Sequence, residues 1–252
     1  MNKVTYVSNA GVLLEVEGKK ILIDSLCDSV MPIYKNTPEE IKAQILCGLP
    51  PFDDIDVMLV THHHSDHFEP KAVVEFLQGN PRAILVSTPE TVKRIKNEES
   101  DFEDRRLIAP ALQVGETERL DLNGIQIQVI AMIHEGKDFK DVENFAYLIE
   151  VNGKSILHPG DAKPMKGNFN YSELVEKKIN LLLAPFPYVG IPSGHATIEN
   201  QIKPEKIVAI HLPHKELDQF NWIRGTKKSY ARVKDRFVET VFFEEIGEST
   251  DF

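Results

Sequence analysis

The sequence predicts a layered α/β protein, with two β-sheets packed together and helices outside. Apolar, β-rich runs come in two batches, roughly residues 3–60 and 107–158, while helical signals are spread along both halves. Turn dipeptides join neighbouring strands, which favours antiparallel pairs. No low-complexity tract or long flexible linker divides the 252 residues, so residues 1–252 read as one domain.

Residues 4–7, 12–16 and 20–23 form an opening meander, with Glu17-Gly18 turning the second run into the third. Thr37-Pro38-Glu39-Glu40 has the form of a capping box: Thr37 as N-cap, Pro38 at the first helical position, Glu40 reaching back, and Gly48 as the stop. Ile41 and Ile45 would face inward one turn apart. Residues 56–60 are a short apolar strand, and residues 70–77 a second helix. Thr88-Pro89-Glu90 opens a third helix, with Val92 and Ile95 on one side. Asn123-Gly124 and Asn152-Gly153 each sit between β-rich runs and accept the positive φ angles of a two-residue hairpin turn. Tyr230, Val233 and Phe237 give a late helix one-sided apolar spacing.

Composition narrows the function. Hydrophobic residues make up 42%, ample for a packed core, and the apolar segments fall short of the ~20 residues a membrane helix needs. The net charge of −10, without an arginine and lysine stripe, disfavours nucleic acid and leaves a small-molecule substrate as the expectation. Cys27 and Cys47 have the spacing of neither a disulfide framework nor a thiolate zinc motif. The chain passes from Met1 straight into strand-like sequence, so a cytoplasmic protein is expected. Homo-oligomers are common, and the long loops could supply the contacts.

One stretch carries the chemistry: His62-His63-His64-Ser65-Asp66-His67. Residues two apart on an extended segment point the same way, so His62 and His64 can converge on one ion while His63 faces the other side. Asp66 and His67, further round the turn, suit a second ion, since carboxylate and imidazole both bind divalent metals. More ligand types stand at strand ends: His134 after residues 127–133, Asp161 after residues 155–160, and His211 after residues 207–210. Four strands would thus deliver His and Asp groups to one edge of the sheets.

Thr61 to His67 matches the His-x-His-x-Asp-His signature and resembles the metallo-β-lactamase superfamily, whose later ligands fall in the same order. The resemblance implies an α/β four-layer αββα sandwich. It also implies two divalent ions: His62, His64 and His134 on the first, Asp66, His67 and His211 on the second, and Asp161 bridging both. Zinc is the first expectation and manganese the next, followed by iron or nickel, because imidazole and carboxylate without thiolate suit them all. Residues 4–11 followed by residues 20–24 look like the opening of the L-ascorbate-6-phosphate lactonase-like hydrolases. Asn9 stands where many relatives carry His, and Ala162 follows Gly160-Asp161 where Thr is more usual. A bridging Asp161 and the lack of a cysteine ligand argue against the antibiotic-hydrolysing lactamases with a Cys ligand. Glyoxalase II and ribonuclease Z share the ligands, and the acidic composition counts against the latter.

The implied activity is metal-dependent hydrolysis of a small ester, lactone or phosphodiester. Two ions about 3.5–4 Å apart share a water and lower its pKa towards roughly 7, and the resulting hydroxide attacks carbon or phosphorus. Asp66 and Asp161 would fix that water and shuttle its proton. The alternative is a non-catalytic metal-binding or regulatory module of the same fold, which the seven competent ligand positions disfavour. Of the other candidates, His214 would reach the pocket mouth and hold substrate, and Asp24 would accept a hydrogen bond from a ligating His. His63 would orient its loop, His158 hydrogen-bond in the interior, His195 cap a helix or lie on the surface, and Lys163 stay solvated. Substrate choice would rest on residues 24–49 and 186–197.

Overall fold

The computed structural model describes residues 2–99, 104–171, 174 and 176–252. Two seven-stranded sheets are present among them. The first contains β1 (Lys3–Tyr6), β2 (Val12–Val16), β3 (Lys19–Ile23), β4 (Val57–Leu59), β5 (Ile84–Val86) and β6 (Leu107–Ile108), with β14 (Ser249–Asp251) on its far edge. The second runs β7 (Thr117–Leu122), β8 (Ile125–Ala131), β9 (Phe145–Val151), β10 (Lys154–His158), β11 (Leu181–Pro185), β12 (Lys206–Ile210) and β13 (Glu239–Phe242) in sequence order. Glu17-Gly18, Asn123-Gly124 and Asn152-Gly153 all adopt positive φ, so each closes its hairpin in the twist-matched turn its sequence predicts.

Alternation sorts the side chains into layers. Leu14, Ile21 and Ile23 point between the sheets, where they meet Ile127, Tyr147 and Leu183. Leu13, Leu22 and Met58 point the opposite way, onto Phe76, Leu77 and Ile95. On the second sheet Ile130, Leu148 and Leu182 face outward onto Phe169, Tyr188 and Ile198. Both faces of each sheet are therefore buried, and the central strands read as continuous apolar runs. Helices α1 (Glu39–Leu46), α2 (Pro70–Gly79) and α3 (Pro89–Glu98) cover one outer face. The other is covered by α4 (Phe186–Gly190), α5 (Pro192–Thr197) and a π-helical turn at Ile198–Ile202. The result is the αββα order.

Two local expectations change. Thr37 does not cap α1, since its hydroxyl donates to Ser25 O at 2.9 Å and accepts from Cys27 N at 3.0 Å; Pro38 takes the N-cap position with no side-chain cap bond. A tertiary partner outbids the local one. The late helix α6 (Trp222–Ala231) begins earlier than the Tyr230, Val233 and Phe237 spacing suggests and ends before Val233, with a 3₁₀ turn at Lys234–Arg236.

Strand direction then positions the site. β8 and β10 are both antiparallel to β9, and β10, β11 and β12 are mutually parallel, so β8, β10 and β12 end on the same side. β3 and β4 are parallel in the other sheet. Ligands in open α/β sheets gather at such carboxyl ends.

Candidate metal centre

Asp24 follows β3 directly, is fully buried, and has φ 45. Its carboxylate accepts from Thr61 N at 2.8 Å, from Thr61 Oγ1 at 2.7 Å and from His67 Nδ1 at 2.8 Å. Thr61 thereby spends its only hydroxyl proton, so the contact of Oγ1 with His62 Nδ1 at 3.0 Å has the imidazole as donor. Both rings therefore turn Nε2 toward the centre, and on His62, kept neutral by burial, that atom offers a free lone pair. His134 is held the same way, Nδ1 donating to Glu135 O at 2.5 Å.

The free nitrogens converge. His62 Nε2 lies 3.0 Å from His64 Nδ1 and 3.3 Å from His134 Nε2. His67 Nε2 lies 3.3 Å from His211 Nε2, which is 3.2 Å from Asp66 Oδ2. Ligands about 2.05 Å from a tetrahedral zinc sit ~3.4 Å from one another, the spacing seen here. Three overlapping groups result: His62, His64 and His134; Asp66, His67 and His211; and His62, His67 and Asp161. Asp161 lies between the clusters, with Oδ2 at 3.4 Å from His211 and 3.9 Å from His134, and Oδ1 at 3.5 Å from His67. That Oδ1 is buried with no hydrogen-bond partner. Imidazole lone pairs facing one another beside an unpartnered carboxylate oxygen suit a divalent cation, so the residues fit the implied metal.

Turns aim the remaining donors. His158 Nδ1 accepts from Gly160 N at 3.1 Å while Nε2 donates to Ala10 O at 3.2 Å, fixing the Pro159-Gly160 bend that presents Asp161. Gly160 has φ 56, and a Cβ there would fall 2.5 Å from Asn144 Oδ1, so only glycine fits. His211 also takes the left-handed region, φ 63, with its N–H on Asn9 O at 2.9 Å. Just beyond it, Lys35 Nζ donates to Leu212 O and, at 3.0 Å, to Pro213 O. Asn9 Nδ2 donates to Asp66 Oδ2 at 3.0 Å and touches His211 Nε2 at 3.0 Å.

Electrostatics divides the two clusters. Burial drives His62 well below its ordinary pKa and, with His134 and His67 nearby, takes His64 down to about 4. Burial works against charge on His67 and His211 too, but Asp161 and Asp66 outweigh it; His67 is held well up and His211 reaches about 9. Burial would raise both carboxylates, yet His67 and His211 keep Asp66 and Asp161 low.

A model of the beta-lactamase superfamily domain matches residues 3–211, from β1 through the last of these donors. The chain belongs to the beta-lactamase superfamily. A UPF0173 metal-dependent hydrolase of Methanosarcina barkeri is 25% identical over 257 residues, covering 99% of this chain and 98% of the relative. One from Pyrococcus abyssi is 26% identical over 216 residues, covering 84% of each. Among solved structures, the novel metallo hydrolase Igni18 of Ignicoccus hospitalis shares the fold, with TM-score 0.65 and 21% identity over 100% of this chain and 98% of that one. This superfamily member is a metal-dependent hydrolase, the class to which its family, relatives and donor groups assign it.

The superfamily chain brings all seven expected donors together and sets others apart. His63 stays outside every donor group, half-buried with Nδ1 unpartnered. His195 is buried, not superficial, and contacts Val189 O through Nε2 at 2.9 Å. Lys163 is exposed. His214 is tied by its N–H to Ile33 O at 2.8 Å and does not line the cavity of about 400 Å³ that opens on His134, Asp161 and His211. That cavity is walled by Tyr34, Phe139, Phe186, Tyr188 and Trp222. Tyr34, Phe186 and Tyr188 fall in the two loops expected to shape substrate choice. Phe139 and Trp222 carried no sequence signal beyond Trp222 being the sole tryptophan.

Proposed function

We propose that this chain hydrolyses a small ester, lactone or phosphodiester using two divalent ions, one held by His62, His64 and His134 and the other by Asp66, His67 and His211. The observation carrying this reading is Asp161, a single carboxylate within 3.9 Å of donor nitrogens from both clusters. When bound, the ions supply Lewis acidity and a water activated at neutral pH. Zinc is the first candidate and manganese the second, with iron or nickel after them. The resemblance to the lactonase-like branch keeps a lactone among the three substrate classes.

The chain's own groups do the rest. Asp66 stays ionised beside His67 and His211, and Asn9 Nδ2 on its Oδ2 fixes the carboxylate, so Asp66 is placed to accept a proton from attacking water. Asp24 holds His67 in one tautomer, and Thr61 does so for His62. The aromatic cavity walls orient substrate and exclude bulk water. His214 lies off the cavity and is left out of the proposed substrate contacts. The unpaired Cys27 and Cys47 support a cytoplasmic setting. No helix among the described residues is long and apolar enough to cross a membrane.

The test is elemental analysis of untagged protein purified without chelator. Two ions per chain are expected, with His134→Ala and His211→Ala each removing about one. Turnover of generic esters, lactones and bis(p-nitrophenyl) phosphate should then depend on metal and fall at least ~100-fold in Asp66→Asn. Absence of ions after reconstitution, or near-normal turnover in Asp66→Asn, would overturn the proposal.

A further inference from the structure

The cavity beside the metal centre has a chemical character that narrows the substrate. Its volume of about 400 Å³ sits low in the ~300–1,000 Å³ span of ligand sites, which suits a compact molecule. Aromatic rings flank both clusters. Phe139 packs on the first, with centroids 4.8 Å from His64 and 5.4 Å from His134. On the second, Tyr34 meets His211 edge-on at 4.8 Å and Phe186 lies 6.4 Å from the same ring. Phe186 stacks on Trp222 at 5.6 Å, and Trp222 on exposed Phe220 at 5.1 Å, so an aromatic ladder runs from a ligand ring out to solvent.

Permanent side-chain cations are missing from these walls: among the described residues no lysine or arginine lines the cavity, and apart from the candidate metal donors its carboxylate is Glu135. Lys35, next to Tyr34, has its ammonium committed to Leu212 O and Pro213 O. An anionic group seated among these rings would lose hydration with no positive side chain to replace it, beside an acidic one. Hydrogen bonding is sparse as well. Tyr188 spends its hydroxyl on Ala162 O at 2.7 Å, while the Tyr34 hydroxyl has no protein partner among the described residues.

We infer that the substrate is an uncharged ester or lactone whose aromatic or compact apolar group seats between Phe139 and the Phe186–Trp222 pair, and that phosphorylated and other anionic substrates are excluded. This rests on the hydrolase reading above and narrows its three substrate classes to two. Water oxygen bonds to the carbonyl carbon, and the bond from that carbon to the leaving oxygen breaks. One water proton ends on the leaving oxygen, and the other stays on the new carboxylic acid until that acid ionises and releases it to solvent, so no redox partner is needed.

Because Trp222 is the only tryptophan, its fluorescence reports on this cavity directly. Zinc-reconstituted full chain would be assayed with phenyl acetate and dihydrocoumarin against anionic 4-acetoxybenzoate and bis(p-nitrophenyl) phosphate. Wild-type emission would be titrated with unreactive acetophenone and with benzoate. The neutral substrates should show kcat/KM at least about tenfold higher, and Trp222→Ala should raise KM about fivefold or more at nearly constant kcat, with Trp222→Phe restoring it. Equal or better turnover of the anionic substrates would overturn this inference and leave the hydrolase standing. Saturable quenching by acetophenone alone, without turnover of any substrate, would support the cavity assignment and sink the proposed ester, lactone or phosphodiester activity. Neither quenching nor turnover would overturn both. The fluorescence arm uses the unaltered chain, so it does not depend on a variant folding.

Discussion

Asp24 Oδ2 accepts the Nδ1 proton of His67 at 2.8 Å, and neither side chain is exposed to solvent. The bond fixes which nitrogen of His67 faces the second cluster. In Asp24→Asn the amide cannot accept from both Thr61 and His67 as a carboxylate does, so the ring loses its anchor. Metal affinity at the Asp66, His67 and His211 cluster should fall about 10–100-fold, with the first cluster nearly unaffected. Competition against a chromophoric chelator measures both steps, and an unchanged second step would refute the role given to Asp24.

The pKa directions make the two clusters differ in the protons they surrender. His62 and His64 are held low and are already neutral at pH 7, so neither should release a proton when the first cluster loads. Metal-free His67, held well up, and His211, at about 9, carry protons at pH 7; an ion must displace about two of them. Affinity at the second cluster should therefore rise with pH from neutrality through about 9, where His211 loses its proton, and rise more steeply than at the first cluster. Calorimetry in buffers of different ionisation enthalpy reads the proton count; equal release at both steps would contradict this assignment.

Gly160→Ala tests the turn that presents Asp161. The substitution places a side chain at φ 56 and within 2.5 Å of Asn144 Oδ1. A strained backbone of this kind costs about 1–3 kcal/mol, which corresponds to a fall in Tm of roughly 2–12 °C at this chain length. Scanning calorimetry of the metal-free protein would show it, and an unchanged Tm would mean that the bend is not strained by a side chain.

The convergence of the candidate donors was legible because the information is local: residue type, two-residue alternation and position at the end of an apolar run place His62, His64, His134, Asp161 and His211 at one edge without any long-range contact. Layering was legible too, since runs such as Ile21-Leu22-Ile23 are apolar on both faces. The Thr37 cap failed because Ser25 O and Cys27 N, ten or more residues away in sequence, compete for the hydroxyl. The cavity was legible only in part. Tyr34, Phe139, Phe186 and Trp222 line one cavity because four separate segments, two of them helix starts, converge there, and no spacing within the chain encodes that convergence.

His62, His64, Asp66 and His67 follow a strand of the first sheet, whereas His134, Asp161 and His211 follow strands of the second. Neither sheet offers a full donor group alone, so each ion of the proposed pair would act as a clasp across the seam, its binding energy shared with the folding of both halves. At a metal concentration one hundred times Kd, that coupling is worth about 2.7 kcal/mol per site. Scarcity of metal would thus be felt first as a loosening of the seam, before any question of catalysis arises.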